Sequence, residues 1–198
     1  MKYDLSRLGI DALNAMQQET VQQYRRHRHL VLLSPTGSGK TLAYLLPLVS
    51  QLDAAVEELQ AVVLVPSREL AVQTCDTLRQ LCPECRCMAC YGGRAAMEEH
   101  KTIRGLRPQV VIATPGRMMD HLQKENLWPG KVRMLVIDEF NDLGWFATDR
   151  RQTDDKVCIY VFNYTEDMSI LQEESFPADQ LIGRAQLTNI KVTWKKQE

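Results

Sequence analysis

The eight positions Ser34-Pro35-Thr36-Gly37-Ser38-Gly39-Lys40-Thr41 combine backbone freedom, a cation and a hydroxyl. Glycines let a chain turn tightly and point successive N–H groups inward at phosphate oxygens. A helix beginning there adds partial positive charge, Lys40 offers a point cation to the outer phosphates, and the Thr41 hydroxyl can ligate Mg²⁺. Thr36, Gly37, Ser38, Gly39, Lys40 and Thr41 form the candidate phosphate cradle. A metal-bound triphosphate also needs an acid on the far side. Asp138, directly after Met134-Leu135-Val136-Ile137, supplies a second Mg²⁺ ligand, and Glu139 is placed to polarise an attacking water. Lys40, Asp138 and Glu139 are the candidate catalytic groups.

These side chains need a scaffold that gathers them. Short, continuous apolar runs at 30–33, 61–65, 86–91, 110–113 and 132–137 have strand length and lack period-two alternation. Such runs predict strands buried on both faces, the pattern of a parallel sheet. Between them, 42–52, 67–81, 95–106 and 118–124 read as helices, with a kink expected at Pro47, and 11–29 is loosely helical. The fold class is α/β, a mainly parallel sheet with helices on both faces in three layers. In such sheets ligands gather at the carboxyl ends of strands, where Lys40 and Asp138 would both lie. Beyond residue 145 the rhythm stops; 157–162 and 190–194 read as isolated strands.

At 198 residues and 44% apolar, the chain can bury one substantial core. Lys plus Arg number 24 against 25 acids, so a protein coated in nucleic acid is excluded, though a local phosphate-binding face is not. The sequence lacks an apolar stretch of membrane-spanning length or a cationic leader, which makes the cytoplasm the expected setting and reduced thiols the expected redox state.

Further segments resemble the DEAD-box RNA helicase family, specifically its N-terminal RecA-like core domain. Gly9-Ile10-Asp11-Ala12-Leu13-Asn14-Ala15-Met16-Gln17 resembles the adenine-recognising motif, with Gln17 as the amide that reads the base. Pro66-Ser67-Arg68-Glu69-Leu70-Ala71, Gly92-Gly93 and Thr114-Pro115-Gly116-Arg117 resemble the motifs that meet the RNA backbone. The resemblance implies ATP and Mg²⁺ as cofactors, RNA as partner, and RNA contact by Arg68, Gly92, Gly93, Thr114, Gly116 and Arg117. The two arginines could instead pair internally with acids such as Glu69. It also implies a second helicase domain, which would supply further cations to the phosphates and half of the RNA groove.

Two departures stand out. The namesake motif reads Asp138-Glu139-Phe140-Asn141, which keeps the metal and water groups but loses a charge at its fourth position. In the family, a helix and a strand precede a Ser-Ala-Thr motif; here Phe146-Ala147-Thr148 is the similar tripeptide and follows too closely. Residues 1–148 are read as the ATP-binding domain and 149–198 as a divergent segment. Either 157–162 completes the sheet or the tail is unrelated to the family. The competing functions are another P-loop ATPase or DNA helicase fragment, and a catalytically inactive helicase-derived binding module.

Cys82, Cys85, Cys87 and Cys90 invite a zinc reading, but a single residue separates the two pairs and a strand would turn 85 and 87 away from 90. Small buried thiols are the preferred reading. His27, His29, His100 and His121 show no ligand spacing, and nothing in the sequence brings Cys90 to His121.

Overall fold

The computed structural model describes residues 1–27, 29–34, 37–93, 96–138 and 157–163. Six parallel strands form one sheet: β1 His29–Ser34, β2 Ala61–Leu64, β3 Cys87–Cys90, β4 Val110–Ala113, β5 Met134–Ile137 and β6 Val157–Asn163. Their spatial order is β1-β6-β5-β2-β4-β3. The helices are α1 Ala15–Gln23, α2 Lys40–Gln51, α3 Arg68–Leu81, α4 Ala96–Leu106 and α5 Pro115–Gln123.

Burial on both sheet faces explains the uninterrupted apolar runs. Ala61, Val63, Val110, Ile112, Met134 and Val136 pack with Leu42 to Val49 of α2 and with Ala71, Cys75 and Leu78 of α3. The alternate residues Val62, Leu64, Val111, Ala113 and Ile137 pack with Ile103 of α4 and Met118 of α5. Three layers result, as the sequence predicts.

Some boundaries move. The loose 11–29 helix contracts to α1, because Asn14 and Gln17 close a capping box at its start. Helix α2 runs through Pro47, although proline removes one main-chain hydrogen bond. Burial of every residue from Leu42 to Val49 holds that segment in place. Strand 157–162 is present, one residue longer, and inserts between β1 and β5 with Ile159 beside Leu30 on one side and Val136 on the other. The Phe146-Ala147-Thr148 tripeptide and residues 190–194 lie outside the described residues.

Candidate nucleotide and RNA site

Every described candidate side chain sits at the carboxyl end of the sheet. β1 ends at Ser34, whose hydroxyl donates to Ser38 Oγ at 2.7 Å and whose carbonyl accepts from Lys40 Nζ at 2.9 Å. Gly37 and Gly39 take φ of 79° and 87°, the left-handed region that costs side-chain-bearing residues energy. Gly39 has a second reason to be glycine: a Cβ there would lie 2.6 Å from Gln17 Nε2. No side-chain hydrogen bond caps α2 at Gly39. Thr36 and Glu139 lie outside the described residues.

Gln17 reaches this loop from α1. Its Nε2 donates to the Gly39 carbonyl at 3.2 Å and its Oε1 accepts from the Asn14 N–H at 3.0 Å. Each bond uses half of the amide's capacity, so one donor and one lone pair remain. Asn14 adds a bond from Nδ2 to the Ser38 carbonyl at 3.0 Å. The start of α1 thus buttresses the loop from outside.

Asp138 follows β5 and is 4% exposed. Its N–H donates to the Leu64 carbonyl at 2.8 Å, and Oδ2 accepts from the Tyr44 hydroxyl at 2.8 Å. Tyr44 lies one turn beyond Thr41 in α2, so the acid is anchored to the helix that carries Lys40. Burial, then the charge of Asp138, push the Tyr44 phenol well above its ordinary pKa, against the opposing hydroxyls of Thr74 and Thr41. Hard oxygen donors on Thr41 and Asp138 suit Mg²⁺ rather than a soft metal. The cradle, the cation and the acid fit a metal-bound triphosphate.

The RNA candidates line the adjoining strands β2, β4 and β3. Arg68 opens α3, where Ser67 accepts from the Leu70 N–H at 3.2 Å as N-cap. Its guanidinium is exposed and stands 5.1 Å from the centre of the Tyr91 ring. Gly92 and Gly93, which follow Tyr91 in sequence, are both exposed. Thr114 N–H donates to the Cys90 carbonyl at 3.0 Å, which sets the Thr114–Gly116 turn beside the glycine pair.

Arg117 takes the internal alternative, with a different acid from Glu69. Its Nε lies 3.0 Å from Glu99 Oε2 and 3.2 Å from the Tyr91 carbonyl, and its side chain is 12% exposed. His121 Nε2 meets the same Glu99 oxygen at 2.9 Å, while His121 Nδ1 faces Asn126 Nδ2 at 3.1 Å. Cys90 completes the cluster: the ligand atoms of Cys90, Glu99 and His121 lie within 4.8 Å of one another, all buried. The expectation that nothing joins Cys90 to His121 is therefore corrected; the parallel pairing of β3 with β4 places the following helices together on one face. Glu99 is already supplied with protons by Arg117, His121 and the Tyr91 amide at 3.4 Å, so its charge is balanced by protein groups.

The other thiols lie across the sheet. Cys82, Cys85 and Cys87 join the core beneath α3 with Cys75, whereas Cys90 joins the opposite core. Cys75 and Cys87 sulfurs are 3.7 Å apart. Cys75 is raised by its bond to Cys87 and by burial; for Cys87 the bond from Cys75 pulls down, but the Cys85 contact and burial win and carry it up to about 12. Both stay protonated near neutral pH, which suits packing better than metal binding.

A parallel three-layer sheet with a glycine loop on β1 and an acid at the end of β5 defines a P-loop domain of RecA-like fold. The DEAD/DEAH box helicase family profile matches residues 14–156, and the chain belongs to that family. Over 142 residues it is 35% identical to the ATP-dependent RNA helicase DeaD of Escherichia coli strain K12, and over 141 residues 31% identical to the ATP-dependent RNA helicase CshA of Listeria monocytogenes. Those alignments take in 70% of this chain but only 22% and 27% of the relatives, so the chain spans about a quarter of their length. Among solved structures, a DEAD box protein from Methanococcus jannaschii matches with TM-score 0.66 at 21% identity, over 88% of this chain and 50% of that one. The DEAD-box helicase Mss116 bound to ssRNA and UDP-BeF matches with TM-score 0.66 at 25% identity, over 85% and 38%. Among the described residues no helix is long and apolar enough to cross a membrane.

Proposed function

We propose that this chain is the ATP-binding and RNA-backbone-binding domain of an ATP-dependent RNA helicase, which couples hydrolysis to unwinding only beside a second domain. The observation that carries the reading is the shared location of Lys40 and Asp138. Lys40 bonds to the last carbonyl of β1, and Asp138 is tied through Tyr44 to the helix that Lys40 opens. Thr36 to Lys40 would wrap the phosphates, Gln17 would meet the adenine edge, and Thr41 with Asp138 would hold Mg²⁺. Bound there, Mg²⁺ would neutralise phosphate charge. Glu139, next in sequence to Asp138, would accept a proton from the attacking water.

RNA would cross the loops after β2, β4 and β3, met by Arg68 and by the open backbone at Gly92, Gly93, Thr114 and Gly116. Arg117 serves this face from beneath: its pairing with Glu99 stiffens the Thr114–Gly116 turn. Backbone contact makes binding sequence-tolerant and salt-sensitive. Cations supplied from a partner domain are worth about 10³ to 10⁵ in hydrolysis rate, so this chain alone turns over ATP very slowly.

Titrating ATP and ADP calorimetrically into the 198-residue chain, with and without a single-stranded oligouridine, tests the reading. The expected result is Mg²⁺-dependent nucleotide binding with turnover that RNA barely stimulates. Robust RNA-stimulated turnover would remove the need for a second domain, and failure to bind either nucleotide would remove the site.

A further inference from the structure

Tyr44 is the one polar side chain in the buried stretch from Leu42 to Val49 of α2, and its exposure is 0%. A phenol hydroxyl sealed in a core costs stability unless it is hydrogen-bonded, and phenylalanine would fill the same space without that demand. Here the hydroxyl is spent on one acceptor, Asp138 Oδ2, 94 residues away at 2.8 Å. An ionised carboxylate can only accept, so the tyrosine carries the proton in this bond. Thr41 precedes Tyr44 by one turn of the same helix.

We propose that Tyr44 is a positioning residue for the divalent cation: its hydroxyl fixes the rotation of the Asp138 carboxylate and ties it to the helix that carries Thr41. The inference rests on the nucleotide-binding reading above and adds to it a residue that touches neither nucleotide nor metal. Outer groups of this kind orient the ligand before the cation arrives, and their loss commonly costs about 10- to 100-fold in metal affinity.

The test uses the full chain saturated with ADP and titrated with Mn²⁺, the unbound ion being read by electron paramagnetic resonance. Tyr44→Phe should raise the Mn²⁺ dissociation constant about tenfold, while ADP affinity in EDTA stays within twofold of the wild-type value. A Mn²⁺ constant within twofold of wild type overturns the proposal. So does an equal loss of ADP affinity with and without the cation, which would mark a purely structural role. A measurement on the wild-type chain is independent of how the variant folds: the Tyr44 hydroxyl resonance should shift when Mg²⁺ is added to the ADP-bound chain, and a resonance unmoved by Mg²⁺ also overturns it. If the wild-type chain binds no ADP, the nucleotide reading fails first and this inference falls with it; normal Mn²⁺·ADP binding in both chains defeats the inference alone.

Discussion

Replacing Lys40 with alanine should weaken ATP and ADP binding by about 100-fold while leaving the fold intact. Lys40 is 8% exposed, and its ammonium donates to the Ser34 carbonyl at 2.9 Å. A charge-assisted hydrogen bond contributes roughly 1.5–3 kcal/mol, and the upper end of that range corresponds to about two decades in affinity. Alanine leaves the Ser34 carbonyl short of one partner, a cost of about 1 kcal/mol that solvent entering the loop would reduce. Calorimetry with ADP and Mg²⁺, accompanied by a thermal melt, measures both terms. Arg68→Ala is the matched control. It removes a cation at the end of β2 rather than β1, and should weaken RNA binding and lower its salt dependence with ADP affinity within twofold. Equal losses in the two variants would mean that general charge, not the loop, attracts the nucleotide.

The largest effect on stability is expected at Glu99. Its carboxylate is 3% exposed, meets Arg117 Nε at 3.0 Å and His121 Nε2 at 2.9 Å, and has no bulk solvent to replace either contact. Glu99→Ala removes the acid shared by Arg117 and the wholly buried His121, leaving Arg117 with Asp120 at 3.5 Å and the Tyr91 carbonyl at 3.2 Å. Breaking one partner out of a buried pair costs about 3–5 kcal/mol when the remaining charge is left uncompensated, and the Asp120 contact places this site toward the lower end. Urea unfolding should show the midpoint falling by about 1–3 M for a slope typical of small domains. Glu99→Gln keeps shape and an acceptor, and should lose less than half as much. A double-mutant cycle between Glu99 and Arg117 isolates the pair, with a coupling energy of about 1–3 kcal/mol expected. A midpoint shift within experimental error in Glu99→Ala would show that the cluster is dispensable to the fold. RNA affinity of Glu99→Gln adds a functional reading: if the brace under Thr114–Gly116 matters, binding weakens although no RNA-facing group has changed.

The sheet was legible because strands buried on two faces must be apolar at consecutive positions, and residues 61–65 or 110–113 have few other interpretations. The phosphate loop was legible for a different reason: its chemistry depends on local spacing, so Gly37 to Thr41 carry their own signature. What stayed hidden depends on contacts distant in sequence. Tyr44 is indistinguishable from an aromatic core residue until the sheet brings Asp138 to it. Glu99 looks like one more surface acid, yet it stands four residues before Ile103 on the buried side of α4, and that carboxylate on an apolar stripe is the available clue. His121, three residues after Met118, gives the same clue on α5. The order of strands explains why the two meet. Helix α1 was overextended because its cap lies in an Asn-to-Gln box, while the polar residues after Gln23 have no apolar partner stripe to keep them helical.

The most direct measurement is a crystal structure of the chain with ADP and Mn²⁺, read through the anomalous signal of the cation. One Mn²⁺ is expected between the Thr41 hydroxyl and the Asp138 carboxylate, with the diphosphate against the amides of Gly37 to Lys40. A nucleotide bound elsewhere, or a cation at Cys90, Glu99 and His121 with none at Asp138, would contradict it.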